Sequence, residues 1–165
     1  MARGDGWGCI RCGWGSEQLS VFSDQSSVIS DPSLNTEHWT LITCFATLHH
    51  IPSRELRDQL IDFVREHLTP DGKFILSNWQ FLNSAKLRAR IQPWERIGLS
   101  DHDVDEGDYL LDWRRGGEGL RYAHQFSESE LSELAAQTGF VIADSFYSDG
   151  DGGNLGLYQM WTVKP

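Results

Sequence analysis

Long apolar runs are what this chain most lacks. No stretch approaches the ~18 consecutive apolar residues that a membrane-spanning helix needs, and the N-terminus carries no apolar signal-peptide core. Both absences lead to the expectation of a soluble, cytoplasmic protein with no membrane partner. Cysteine is scarce as well, with Cys9, Cys12 and Cys44 making up the total of 3. An odd count without a secretory signal argues against a disulfide framework and for a reducing compartment. Cys44 lies inside an apolar run and reads as a small buried hydrophobe. Cys9-Ile-Arg-Cys12 offers two thiolates, yet no second C-x-x-C or H-x-x-x-H follows, and only His38 and Cys44 stand near. A structural zinc normally takes four ligands, so no metal is expected. Basic residues are the third deficit: 14 Lys and Arg against 24 Asp and Glu leave a net charge of -10. That balance excludes gripping nucleic acid through overall charge, while leaving room for a local basic patch. Charge is segregated along the chain. Lys86, Arg88, Arg90 and Arg96 share one stretch, and Asp101, Asp103, Asp105, Glu106 and Asp108 follow directly, reading as a solvated helix face and an acidic loop.

What is present belongs to a globular protein. The 165 residues are 39% hydrophobic and 12% aromatic, which excludes a disordered chain. At this length one domain is expected, burying roughly 70% of its unfolded surface. Residues 1–35 differ from the rest: Gly4, Gly6, Gly8, Gly13 and Gly15 alternate with Trp7 and Trp14, and no helical or strand period runs through them. From Trp39 the signals sharpen. Trp39 to Ala46 is a continuous β-rich apolar run, expected as a strand buried on both faces of a parallel sheet. Pro52 and Ser53 open a helix, with Leu56, Leu60, Val64 and Leu68 as its apolar stripe. Thr69-Pro-Asp-Gly72 is a turn signal, and Lys73–Trp79 a second buried strand, completing a βαβ unit. Asn83–Gly98 reads as a helix interrupted by Pro93. Residues 101–119 read as an irregular segment long enough to be a functional loop, and Arg121–Phe126 as extended chain. Ser127 and Glu130 form a capping box, Phe126 and Leu131 a hydrophobic staple, and Gly139 the helix stop. Phe140–Tyr147 and Leu155–Val163 should pair as an antiparallel hairpin around Asp149–Asn154. Parallel βαβ followed by helix, strand and hairpin is the second half of a doubly wound α/β sheet.

Three segments in this order resemble class I S-adenosylmethionine-dependent methyltransferases. Leu41-Ile-Thr-Cys-Phe-Ala-Thr-Leu-His-His-Ile-Pro52 looks like the family's fourth strand and following loop. Leu68-Thr-Pro-Asp-Gly-Lys-Phe-Ile-Leu76 resembles its "L-x-P-G-G" turn into strand five, with Asp71 in place of the first glycine, and Thr138-Gly-Phe140 resembles the turn into strand six. A narrower likeness joins them. Gly107-Asp-Tyr-Leu-Leu-Asp-Trp-Arg-Arg115 followed by Arg121-Tyr-Ala-His-Gln-Phe126 is similar to the branch that methylates the carboxymethyl group of tRNA wobble uridines. The resemblance covers about residues 28–165. It implies a Rossmann-like doubly wound sheet and S-adenosyl-L-methionine as cofactor. The chain then divides into an irregular segment 1–35, a remnant of strands two and three, and a methyltransferase portion 36–165. The family's "D-x-G-x-G-x-G" loop after strand one has no counterpart here, so the first strand and helix are expected to be absent.

The resemblance also implies site residues. Asp31 would be the acid that faces the adenine, and Phe45, Ala46, Thr47, Leu48 and His49 would lie beside the cofactor. His50 would face the acceptor, with Asn78, Trp79, Trp113 and Tyr122 lining or stacking on it. Methyl transfer from a sulfonium is an in-line displacement that needs mainly alignment. A carboxylate acceptor is already ionised and needs no base, only a cation, for which Arg114, Arg115 and Arg121 are candidates. An amine or hydroxyl acceptor would need a base, for which His49, His50 or His124 are candidates. The acceptor is thus expected to be tRNA or a small molecule. Without a first strand, the Leu41–Ala46 strand would be an apolar sheet edge, an aggregation hazard. A lost gene start, cover by the first 35 residues, or a partner chain over that edge would each account for it. The alternative from another class is a non-catalytic fragment or binding module that keeps the fold without the cofactor.

Overall fold

The computed structural model describes residues 38–113 and 119–165. Asp31, Arg114, Arg115, Cys9 and Cys12, and the boundary at residue 35, lie outside the described residues.

The apolar run at Trp39 forms strand β1 (Trp39–Phe45), and Ser53 caps the helix that follows, α1 (Arg54–His67), by accepting from Leu56 N–H. β2 (Leu68–Trp79) returns parallel to β1, pairing Ile42 with Phe74 and Cys44 with Leu76. The chain ends in the expected antiparallel hairpin, β6 (Phe140–Ser148) with β7 (Gly156–Val163). β7 slots in beside β2, so the main sheet runs β1-β2-β7-β6, and among the described residues β1 pairs with β2 alone.

Alternation along these strands gives the sheet two unlike faces. Ile42, Cys44, Phe74, Leu76, Leu157 and Trp161 share one face with Ile61 and Val64 of α1. Leu131, Leu134 and Ala135 of α3 (Glu128–Gln137) pack onto the same core. Trp161 is fully buried, with Phe74 edge-on and Phe140 tilted against it, each at a centroid distance of 5.7 Å. The other face carries Leu41, Phe45, Val141 and Phe146, all exposed. β1 is therefore not buried on both faces as its apolar run suggests. Composition reports that a strand is apolar, whereas burial depends on which neighbours cover it.

The sequence-based element boundaries need four corrections. Leu56 is exposed, and the buried side of α1 is instead Arg57, Ile61 and Val64. Thr69–Gly72 lies within the span of β2, where the register against β1 shifts between Trp39 and Leu41. The helix expected over Asn83–Gly98 is broken into short pieces. These are a 3₁₀ turn (Phe81–Asn83), one turn of helix α2 (Ala85–Arg88), the two-residue strand β3 (Ile91–Gln92) and a 3₁₀ turn (Trp94–Ile97). Pro93 cannot donate to a helical ladder, and the chain is extended there. Finally, the segment read as an irregular loop contains β4 (Asp108–Trp113), which pairs with β3 and with β5 (Gly119–His124). This second, three-stranded sheet β3-β4-β5 packs through Phe81, Leu111 and Ala123 against Trp79 at the end of β2.

Candidate functional site

The small sheet brings residues from distant parts of the chain to the carboxyl ends of β1 and β2. A 3₁₀ turn (Leu48–His50) follows β1. Before it, Ala46 takes a φ of 50°, a left-handed conformation that a non-glycine residue adopts only under tertiary constraint. The Ala46 N–H is held there by Ser77 of β2, through both its carbonyl and its hydroxyl at 3.1 Å. Phe45, Ala46 and Thr47 are exposed at this turn, while Leu48 and His49 are buried.

His49 and His50 are fixed in place. The Trp79 N–H donates to His49 Nδ1 at 3.2 Å. His50 Nδ1 lies 3.0 Å from the Tyr122 carbonyl, which can only accept, so Nδ1 carries the proton and Nε2 accepts from Arg121 Nη2. Burial disfavours the charged form of both rings, and the Arg121 guanidinium adds to it. His49 is lowered to about 3, with His50 also contributing, and His50 is lowered to about 4. Both are neutral imidazoles at neutral pH.

Arg121 stands at the centre of the cluster. Its guanidinium carbon lies 4.7 Å from the Trp113 ring centre and 6.0 Å from that of Trp79. Among the described residues no carboxylate forms an ion pair with it, and burial alone pushes its pKa down. A half-buried cation with neutral and aromatic neighbours has positive potential left to offer an anion.

The remaining candidates lie in the interior around this cluster. Asn78 is buried near the carboxyl end of β2, on its helix-covered face and beside His49. The Tyr122 hydroxyl donates to Asp108 Oδ1 at 2.6 Å and accepts from Arg57 at 3.0 Å, so the hydroxyl is committed to a buried polar network. His124 is fully buried, with Nδ1 2.6 Å from Asp108 and Nε2 2.8 Å from Glu130. Both ring nitrogens are occupied by acids, an arrangement that leaves no lone pair for a general base. Sequence reasoning missed Arg57, Asp105 and Asp108. The signals were an arginine on the apolar side of α1 and acids in the segment read as a solvated loop. Arg57 donates to Asp105 at 3.1 Å and to the Ile51 carbonyl at 3.2 Å. Among the described residues no group of three His, Cys, Asp or Glu is placed to hold a metal ion. No helix among them is long and apolar enough to cross a membrane.

No protein-family model matches the chain. A curated protein of Encephalitozoon cuniculi, named as a candidate methyltransferase, is 30% identical over 104 residues, covering 63% of this chain and 45% of that protein. The chain therefore spans less than half the length of this relative. A solved S-adenosylmethionine-dependent methyltransferase of Methanosarcina mazei matches at a TM-score of 0.59 and 22% identity, over 81% of this chain and 63% of that one. Another, from Clostridium acetobutylicum, matches at a TM-score of 0.57 and 14% identity, over 92% and 73%. The strand order, the antiparallel β7 between β2 and β6, and these likenesses agree: the chain carries the class I S-adenosylmethionine-dependent methyltransferase fold.

Proposed function

We propose that the chain serves methyl transfer from S-adenosylmethionine, in the cytoplasm, to an acceptor carrying a carboxylate: the carboxymethyl group of a tRNA wobble uridine or a small carboxylic acid. The observation that carries this reading is the Arg121 guanidinium between Trp113 and Trp79 with no acid paired to it among the described residues. Arginine grips a carboxylate at two points, and the indole walls suit a planar group. The histidines support the same acceptor class. His49 and His50 are too weakly basic to take a proton, and His124 is enclosed by two acids. A site whose described histidines offer no base suits an acceptor that is already ionised.

The exposed Phe45–Thr47 turn, with its strained Ala46, fits one side of a cofactor lying at the carboxyl end of β1, with Leu48 and His49 behind it. When bound, S-adenosylmethionine supplies an electrophilic methyl group. The chain's own residues hold the acceptor: Arg121 orients the carboxylate, Trp113 and Trp79 exclude water from it, and His50 keeps Arg121 in place. We assign the edge of β1 that is unpaired among the described residues, and the exposed apolar sheet face beside it, to a partner chain.

Calorimetric titration with S-adenosylhomocysteine, then transfer of a labelled methyl group to carboxymethyluridine, tests the reading. Arg121→Ala should weaken acceptor binding by roughly tenfold or more, the loss expected for a charge-assisted hydrogen-bond pair, while cofactor affinity stays unchanged. Equal transfer by the variant, or a preference for uridine lacking the carboxylate, overturns it.

A further inference from the structure

The buried polar network beside the candidate site has a chemistry that methyl transfer does not use. His124 of β5 meets Asp108 of β4 at Nδ1 and Glu130 of α3 at Nε2. A carboxylate only accepts, so both contacts are hydrogen bonds only when both ring nitrogens carry protons. A neutral imidazole has one N–H and can satisfy one of the two acids. The other would then face a nitrogen lone pair.

The surroundings decide which contact fails first. The Asp108 side chain is 5% exposed, and it also accepts from the Tyr122 hydroxyl. The Glu130 side chain is 36% exposed and sits in the first turn of α3, next to a small cleft also lined by Arg54, Arg57 and Asp58 of α1. Glu130 can turn to water; Asp108 cannot. Arg57 faces the ring from α1 and Asp105 pairs with Arg57 from the loop before β4. His49 is the remaining titratable neighbour, and it is neutral.

The same ring is the junction of layers. Through Asp108 it ties β5 to β4, and through Glu130 it ties the small sheet to α3. Among the described residues, a second ionic anchor of that sheet to the helices is Arg57, which reaches Asp105, Asp108 and Tyr122. Gly107 fits this junction tightly, since a Cβ there would stand 3.0 Å from His124 Cε1.

We propose that His124 is a positioning residue: a doubly bonded imidazolium latching the β3-β4-β5 sheet to α3, whose deprotonation frees Glu130 and loosens the strand that carries Arg121. The proton leaves to solvent past Glu130. Burial works against the charged ring, but the two carboxylates outweigh it and raise its pKa above the ordinary histidine value. The latch is thus fully closed below the ordinary value and opens as pH rises through the raised one.

The test is a pH titration of the full chain with ¹⁵N-labelled histidine and tryptophan and ¹⁵N backbone amides. His124 should show two protonated ring nitrogens at pH 6 and lose one at higher pH than His49 and His50. The Arg121 amide and the Trp113 indole signals should move with the same midpoint. Glu130→Gln, a change at a partly exposed position, should shift that midpoint to lower pH while the fold is kept. Removal of the ring itself risks unfolding and is not needed. A His124 that is neutral at pH 6, Arg121 and Trp113 signals that stay flat through its titration, or an unchanged midpoint in Glu130→Gln would each overturn the latch.

Discussion

His49, His50 and His124 show how place decides what one side chain can do. All three start from an unperturbed value near 6.5, yet burial drives the first two to about 3 and about 4 while paired acids lift the third. The consequences for stability have opposite signs. Between pH 3 and 6.5 the unfolded chain binds protons at His49 and His50 that the folded chain refuses, so their contribution falls as pH falls below about 6.5. The contribution of His124 is complete in that range. Urea unfolding should therefore show a lower midpoint at pH 5 than at pH 7, and His50→Gln should flatten part of that slope. A slope that His50→Gln leaves untouched would show that His50 accepts a proton without cost. The identity of these histidines as notable residues was readable from the "T-L-H-H" and "R-Y-x-H-x-F" patterns. Their protonation was not, because it depends on carboxylates at positions 108 and 130 and a guanidinium at 121 that only folding brings near.

At the scale of elements, local signals and long-range competition divided the outcome. Ser127 caps α3 as its sequence indicates, its hydroxyl accepting from Glu130 N–H at 3.1 Å. The reciprocal half of the expected capping box is not formed, because the Glu130 carboxylate goes to His124 instead. A buried imidazolium is a stronger partner than an N-cap amide that water can also reach. The small sheet went unseen for a related reason. β3 has two residues, and the acids flanking β4 resemble a solvated loop until Asp108 is paired with His124 and Asp105 with Arg57. Gly107 offers a direct test of how tightly this element is held. Its φ is 91°, and alanine there would meet both the His124 ring and the Gln125 carbonyl. Gly98 has a φ of 79°, and a methyl group added there would find nothing within 4 Å. Gly98→Ala should cost only the left-handed backbone penalty of about 1–2 kcal/mol. Gly107→Ala should cost clearly more by urea unfolding, and equal losses would mean that the His124 junction yields easily.

For the whole molecule, the unequal faces of the main sheet dominate. Both long helices cover one face, and Leu41, Phe45, Val141 and Phe146 leave the other apolar and exposed. An apolar face next to a strand edge that is unpaired among the described residues favours association. If a partner chain occupies it, replacing Leu41 and Phe45 together by lysine should abolish that association in analytical ultracentrifugation without lowering the unfolding midpoint, since neither side chain is in the core. A fall in midpoint to the extent of a core deletion, with association unchanged, would count against this face as the contact.

The periodicities, turn residues and caps determined β1, α1, β2, α3 and the closing hairpin, because each rests on neighbours within a few residues along the chain. The likeness of Leu41–Pro52 and Leu68–Leu76 to methyltransferase segments determined the fold class on the same local basis. Tertiary structure alone decided which face of β1 is covered and that Arg57 belongs in the interior. It alone set Arg121 between two indoles and gave His124 two acids. These are pairings across 48 residues in the case of Arg57 and Asp105, and of 71 for Arg121 and His50. Charge and burial at such contacts are set by the partner's arrival, and no pattern in either segment alone encodes it.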